Sequence, residues 1–170
     1  MKFLELASER FSVRNFSDRK IEPDKLQKIL EAARVAPTAV NFQPQELYLA
    51  NSEKAMERLT SIRPLFGATA AIVVCYDSLR SWKNARSCNH DSGETDASIV
   101  ATHMMLEAWE CGIGSTWVMH FDPKEICASF SIPTNEVPVC ILLMGYPEDG
   151  VLPSKLHLTR KTLEETTVRL

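Results

Sequence analysis

Apolar positions recur along this chain with two different periods, and the change from one to the other marks its elements. After Pro23, the residues Leu26, Ile29, Leu30 and Ala33 follow the i, i+3, i+4, i+7 stripe of an amphipathic helix. Proline in the first turn and Pro37 beyond the end bound it, so the pattern predicts a helix over 23–35. A broader apolar face, formed by Ala97, Val100, Ala101, Met104, Met105 and Ala108, predicts a central helix over 93–111, with Gly112 as its left-handed terminator. Strand patterns fall at 45–50, at 70–76 around Ile72, Val73 and Val74, at 115–119 and at 137–144. A short helix is expected between the first two strands. Four strands with intervening helices, without a repeat or an interdomain linker, predict an α+β layer fold in one domain spanning 1–170.

Two segments carry weaker patterns. Residues 77–92 are polar and hold Trp82, Arg86, Cys88 and His90, which suits a plain surface connection or a partly ordered lid. Residues 151–160 read as an extended tail, after which Thr162 and Glu165 form a capping box for a last helical turn.

Composition narrows the function classes. At 170 residues and 45% hydrophobic content, the chain has enough apolar surface for one substantial core. A formal net charge of −3 and the lack of a long basic tract argue against a nucleic-acid surface. The five cysteines, Cys75, Cys88, Cys111, Cys127 and Cys140, lack the paired spacing of a zinc site or redox couple and read as reduced thiols, which fits a cytoplasmic setting. Glu5 interrupts the apolar run a signal peptide needs, and no stretch is long enough to span a bilayer.

Four segments carry candidate chemistry. Arg10, Ser12 and Arg14 alternate, so in an extended chain their side chains share one side while Phe11 and Val13 face the core. Two guanidinium forks and a hydroxyl match phosphate oxygens, although the same spacing also describes a solvated basic edge. The run 36–44 places Asn41 and Gln43 between Pro37 and Pro44, where amides can meet the edge of a flat heteroaromatic ligand; a helix stop and turn has the same composition. Gly112 and Gly114 let backbone pass close to a ring, but they follow a helix instead of a strand, which disfavours a dinucleotide fingerprint. Arg160 and Lys161 can close a phosphate clamp from the far end of the chain or stand as exposed tail charge. No Ser-His-Asp set, carboxylate pair or metal cluster emerges from the sequence, and His90, His103, His120 and His157 are scattered.

In this order, Arg10-Phe-Ser-Val-Arg14, Ala36-Pro-Thr-Ala-Val-Asn-Phe-Gln-Pro44, Asp96-Ala-Ser-Ile leading to Gly112-Ile-Gly-Ser-Thr-Trp-Val118, Gly145-Tyr-Pro147 and Arg160-Lys161 resemble the nitroreductase family of FMN-dependent oxidoreductases. The resemblance covers nearly the whole chain. It implies a four-stranded, mostly antiparallel sheet flanked by helices, and an intertwined homodimer with FMN at the interface. It further implies that Arg10, Ser12, Arg14, Arg160 and Lys161 hold the phosphate, that Thr116, Trp117 and Val118 line the flavin, and that Pro37, Thr38, Ala39 and Asn41 reach across from the partner. Phe11, Gln43 and Gly114 join the cofactor-binding set on the same ground. The chain departs from many relatives at Thr38 and Gln45, where they carry serine and tryptophan. The implied activity is reduction of small electron-poor acceptors such as nitroaromatics and quinones, with NADH or NADPH as donor. No side chain is assigned a catalytic role, because a flavin carries the electron chemistry itself. Two alternatives remain open: a flavin-binding protein without turnover, and a reductive dehalogenase or flavin-modifying enzyme on the same architecture.

Overall fold

The computed structural model describes residues 2–87 and 90–170. Its helices are α1 (Phe3–Glu9), α2 (Pro23–Val35), α3 (Glu53–Ile62), α4 (Gly93–Glu110), α5 (Pro123–Phe130) and α6 (Leu163–Thr166). Its strands are β1 (Gln45–Ala50), β2 (Ala70–Asp77), β3 (Lys83–Asn84), β4 (His90–Asp91), β5 (Gly114–Val118) and β6 (Glu136–Gly145). The main sheet has the order β1-β2-β6-β5 and is antiparallel throughout.

Both faces of that sheet are covered, which explains why the two central strands read as continuous apolar runs. Ile72, Val74, Leu142 and Met144 face a core shared with α2 and α4, including Ile29, Val100 and Met104. Val73, Cys75, Ile141 and Leu143 face the opposite core, with Leu59 of α3 and Ile126 of α5. Cys75 and Cys140 are buried free thiols and Cys111 and Cys127 are half-buried ones; Cys88 lies outside the described residues.

The end of α4 follows the expected left-handed stop. Gly112 has φ 74°. Its N–H donates to Trp109 (2.9 Å) and that of Ile113 to Ala108 (2.7 Å), the two bonds of a Schellman motif. The strand expected at 115–119 is displaced to Gly114–Val118, because Gly114 already pairs with Gly145 while Met119 lies past the last pair and is 61% exposed. Helix α5 was not anticipated, although Asp122 caps it through Lys124 N–H (2.8 Å) and Pro123 opens it. Its eight residues are too few for a convincing period.

The described residues of the polar segment include a short antiparallel strand pair. Lys83 and Asn84 pair with Asp91 and His90, and Lys83 Nζ donates to Ser78 O (2.8 Å), Ser81 Oγ (2.7 Å) and the Asp91 carboxylate. The tail is likewise not purely extended, since a 3-10 turn over Lys155–Leu158 precedes α6, and the Thr162–Glu165 capping box forms as expected.

A polar latch joins the end of β6 to the start of α2. Tyr146 Oη donates to Glu22 (2.6 Å) and accepts from Lys25 Nζ (2.7 Å), while the Arg19 guanidinium lies 3.9 Å from the Tyr146 ring centroid. The Tyr146 hydrogen bond first, and that of Arg19 second, hold the Glu22 carboxyl down at about 2. Because the folded-state value lies below the ordinary 4.5, this stabilisation is present above pH 4.5 and is lost as pH falls toward about 2. In denaturant titrations, the stability gap between the native protein and Glu22→Gln should therefore narrow across that window. A gap that does not change with pH would contradict the latch.

Candidate functional site

Arg10 closes α1, and the chain then runs extended along the outer edge of β5. Ser12 forms a parallel bridge with Ser115, and Val13 N–H donates to Ser115 O (3.0 Å). The approach is close enough to require glycine at 114, where a Cβ would lie 2.7 Å from Val13 Cγ2 and 3.1 Å from Pro147 Cγ. Thr116 Oγ1 donates to the Val13 carbonyl, so this hydroxyl fastens the arginine segment to the sheet. The side chains of Thr116 and Val118 are buried, which leaves their backbone to meet a ligand; Trp117 is half-buried against the α4-side core.

The tail returns to the same place. His157 Nε2 lies 3.0 Å from Ser8 O, its ring meets Phe11 edge-on at 6.2 Å, and Phe11 packs on Trp109 at 5.1 Å. An Nε2 facing a carbonyl is best assigned as the protonated nitrogen, which leaves Nδ1 to accept from Arg160 Nη2 at 3.4 Å. Arg160 also donates to the carbonyls of His157 and Thr159. This brings it near Arg10, whose guanidinium is pushed below its ordinary value by partial burial first and by the Arg160 charge second. Arg10, Arg14, Arg160 and Lys161 form no ion pair with a carboxylate among the described residues. A partly buried cation beside a second, exposed one suits a bound anion. Arg14 and Lys161 are exposed.

The loop 37–43 is a second, separate constellation. Val40, Asn41 and Gln43 have φ of 53°, 56° and 51°. Such angles are uncommon outside glycine and a genuine outlier for β-branched valine. The loop holds itself through Gln43 N–H to Thr38 Oγ1 (3.0 Å) and Gln43 Nε2 to Asn41 O (3.3 Å). It is fixed to the fold by Ala39 N–H, which donates to Asp96 Oδ1 at 2.9 Å. Asp96, 2% exposed in the first turn of α4, also accepts from Ser92 Oγ (2.8 Å). Sequence reasoning left this carboxylate without a role, though an acidic residue on the apolar face of a helix was a usable signal.

The two constellations do not meet within one chain. Asp96 and Trp109 stand at opposite ends of α4, and the 13 steps between them rise about 20 Å at ~1.5 Å per residue. A single flat ligand touching both sets needs a different arrangement.

The chain matches the nitroreductase family over residues 7–62 and 62–146. It is 31% identical over 154 residues to an Archaeoglobus fulgidus protein with the provisional name NADH dehydrogenase/NAD(P)H nitroreductase, covering 86% of each chain. The crystal structure of a nitroreductase family protein from Clostridium difficile 630 superposes with a TM-score of 0.91 at 40% identity, covering 99% of this chain and 98% of that one. A provisionally named nitroreductase from Exiguobacterium sibiricum 255-15, solved in complex with FMN, shares the fold with a TM-score of 0.86 at 22% identity, covering 100% and 98%. With the profile matching most of its length and the α+β architecture shared, this chain belongs to the nitroreductase family, a family of oxidoreductases.

The start of α4 is packed too tightly for any side chain at 93. A Cβ there would fall 2.0 Å from Tyr76 Cδ2 and 2.2 Å from Cε2. Because Gly93 opens α4, alanine there gains less than the roughly 1 kcal/mol of an interior position, and overpacking of about 1–3 kcal/mol outweighs it. Net destabilisation is expected in urea unfolding; a variant more stable than the parent would show that the Tyr76 ring swings aside freely.

Proposed function

We propose that this chain is a single-domain, FMN-dependent oxidoreductase that takes electrons from NADH or NADPH and delivers them to small electron-poor acceptors such as nitroaromatics and quinones. The observation that carries the reading is that His157, which packs on Phe11, holds Arg160 near enough for its charge to act on Arg10, while neither arginine pairs with a carboxylate among the described residues. A dianionic ribityl phosphate relieves their repulsion and accepts both guanidinium forks. The residues therefore fit the cofactor. Ser12 adds a neutral donor, and the backbone of 114–118 lies beside the clamp. When bound, the flavin supplies two-electron transfer between nicotinamide and acceptor. The chain's own part is to hold, orient and stack the reactants, which supplies rate through proximity.

The working unit is a homodimer with two shared sites. The face of α4 turned away from the sheet, with Thr102, His103 and Leu106, lines a groove of ≈ 920 Å³ together with Phe3, Leu6 and Val35. Packing two copies antiparallel along α4 sets the 37–43 loop of one beside the Arg10 clamp of the other, which resolves the separation of about 20 Å. The exposed tail residues Leu152, Leu156, Leu158 and Leu163 supply further apolar surface for the partner. Free thiols at Cys75, Cys111, Cys127 and Cys140 support a cytoplasmic setting.

The purified protein should show a flavin absorbance spectrum that bleaches on anaerobic addition of NADH or NADPH and recovers when a quinone or nitroaromatic is added. Bleaching without recovery would instead indicate a flavin carrier. Arg10→Ala and Arg160→Ala should each weaken FMN binding about ten- to a hundredfold, the worth of a charge-assisted contact. Unchanged affinity in both variants overturns the clamp, and a monomeric mass with FMN bound overturns the shared site.

A further inference from the structure

We propose that Asp96 is a positioning residue for the cofactor site, acting by holding the 37–43 loop in the shape that serves the partner subunit. This rests on the shared-site reading above and assigns a role to a residue that touches neither the clamp nor the expected ligand.

Both oxygens of Asp96 are committed. Oδ1 accepts the Ala39 N–H (2.9 Å) and Oδ2 the Ser92 hydroxyl (2.8 Å). Asp96 is itself anchored, because its N–H donates to Ser92 O (2.8 Å), and Ser92 N–H donates to Trp82 O (3.0 Å). The strut thus runs from the polar segment through the first turn of α4 into the loop. On the far side of Ala39 stand Val40, Asn41 and Gln43, all at positive φ. A loop with such backbone angles persists only where its surroundings over-determine it. Its internal bonds, which include Asn41 N–H to Thr38 O (3.0 Å) and Phe42 N–H to Ala39 O (3.1 Å), join only exposed and half-buried residues of the loop itself, so the buried Asp96 is what ties the loop to α4. The carboxylate lies on the first turn, where the helix dipole also favours negative charge. Because α4 separates Asp96 from Trp109 by about 20 Å, its influence cannot reach the Arg10 clamp of its own subunit by contact. In an antiparallel pair it reaches the partner's.

The test uses the full-length dimer, with FMN as the probe. Asp96→Ala should lower FMN affinity roughly ten- to a hundredfold. Asp96→Asn keeps an oxygen for the Ala39 amide and can turn its N–H toward the Ser92 oxygen, so it should bind FMN close to the native level. A fall in unfolding midpoint for Asp96→Ala with FMN affinity unchanged would reduce the residue to a structural role and overturn the proposal. The decisive measurement is a heterodimer of one Arg10→Ala chain and one Asp96→Ala chain, purified through two different tags. One of its sites takes Arg10 from the second chain and Asp96 from the first and is wholly intact, so FMN should bind with native affinity at one equivalent per dimer. If the Asp96→Ala homodimer is weakened but the heterodimer has no tight site, the action lies within one subunit, and the proposal and the shared-site reading fail together. If the Asp96→Ala homodimer binds FMN as tightly as the native protein, Asp96 loses its role while the shared site stands. Should Asp96→Ala not yield a dimer, Ser92→Ala removes the strut's other end and is paired with Arg10→Ala in the same way. Weakened FMN binding that is restored in that heterodimer supports the proposal, and unweakened binding overturns it.

Discussion

Helix α4 is the constraint on which the molecule depends. Its inner face, from Ala97 through Val100, Ala101, Met104 and Ala108, is buried against the sheet and α2, so neither its direction nor its height can change without opening the larger core. Every functional feature is hung from one of its ends. The loop 37–43 is tied to its first turn through Asp96, and the arginine segment packs on its last turn through Phe11 and Trp109. A rigid rod of about 20 Å therefore keeps the two segments apart within one chain, and the homodimer proposed above is what would bring them together.

The electrostatics of the clamp follow from how the chain ends are brought in. Arg10 is partly buried, and that burial first and the charge of the exposed Arg160 second make its guanidinium harder to keep protonated. The fold tolerates this because the positions are set by neutral contacts: the Ser12–Ser115 bridge, the Thr116 hydroxyl on the Val13 carbonyl, and His157 against Ser8. An anion of the right shape then gains both the direct contacts and the relief of repulsion. The exposed Arg19–Glu22 pair near the start of α2 is a different case, a surface latch whose charges are already matched.

The loop stores strain in a similar way. Three non-glycine residues at positive φ are expensive conformations, and a buried carboxylate with two partners holds them. On the proposed reading, arginine segment and loop both hold their shape without a ligand, which lowers the ordering cost of binding one.

Much of the fold was legible in the chain itself, because periodicity reports which face of an element is buried. The stripe from Leu26 to Ala33, the apolar face of α4 with its Gly112 stop, and the runs at 70–77 and 136–145 each appear close to where the pattern placed them. Short elements were not legible: α5 spans too few residues to show a period, and the β3–β4 pair depends on Lys83 reaching Asp91 and Ser81. The residue types of the clamp, two arginines flanking a serine and a basic pair near the end, could likewise be read as candidates for anion binding. Only the tertiary structure decided that the Arg160 charge acts on Arg10, because positions 150 apart in sequence are brought near through contacts no local pattern encodes. It also decided that Gly114 makes room for Val13, and that Asp96 holds a strained loop 57 residues away in sequence. Sequence alone determines which faces seek burial and which groups carry charge; the distances between groups far apart in the chain are set by packing.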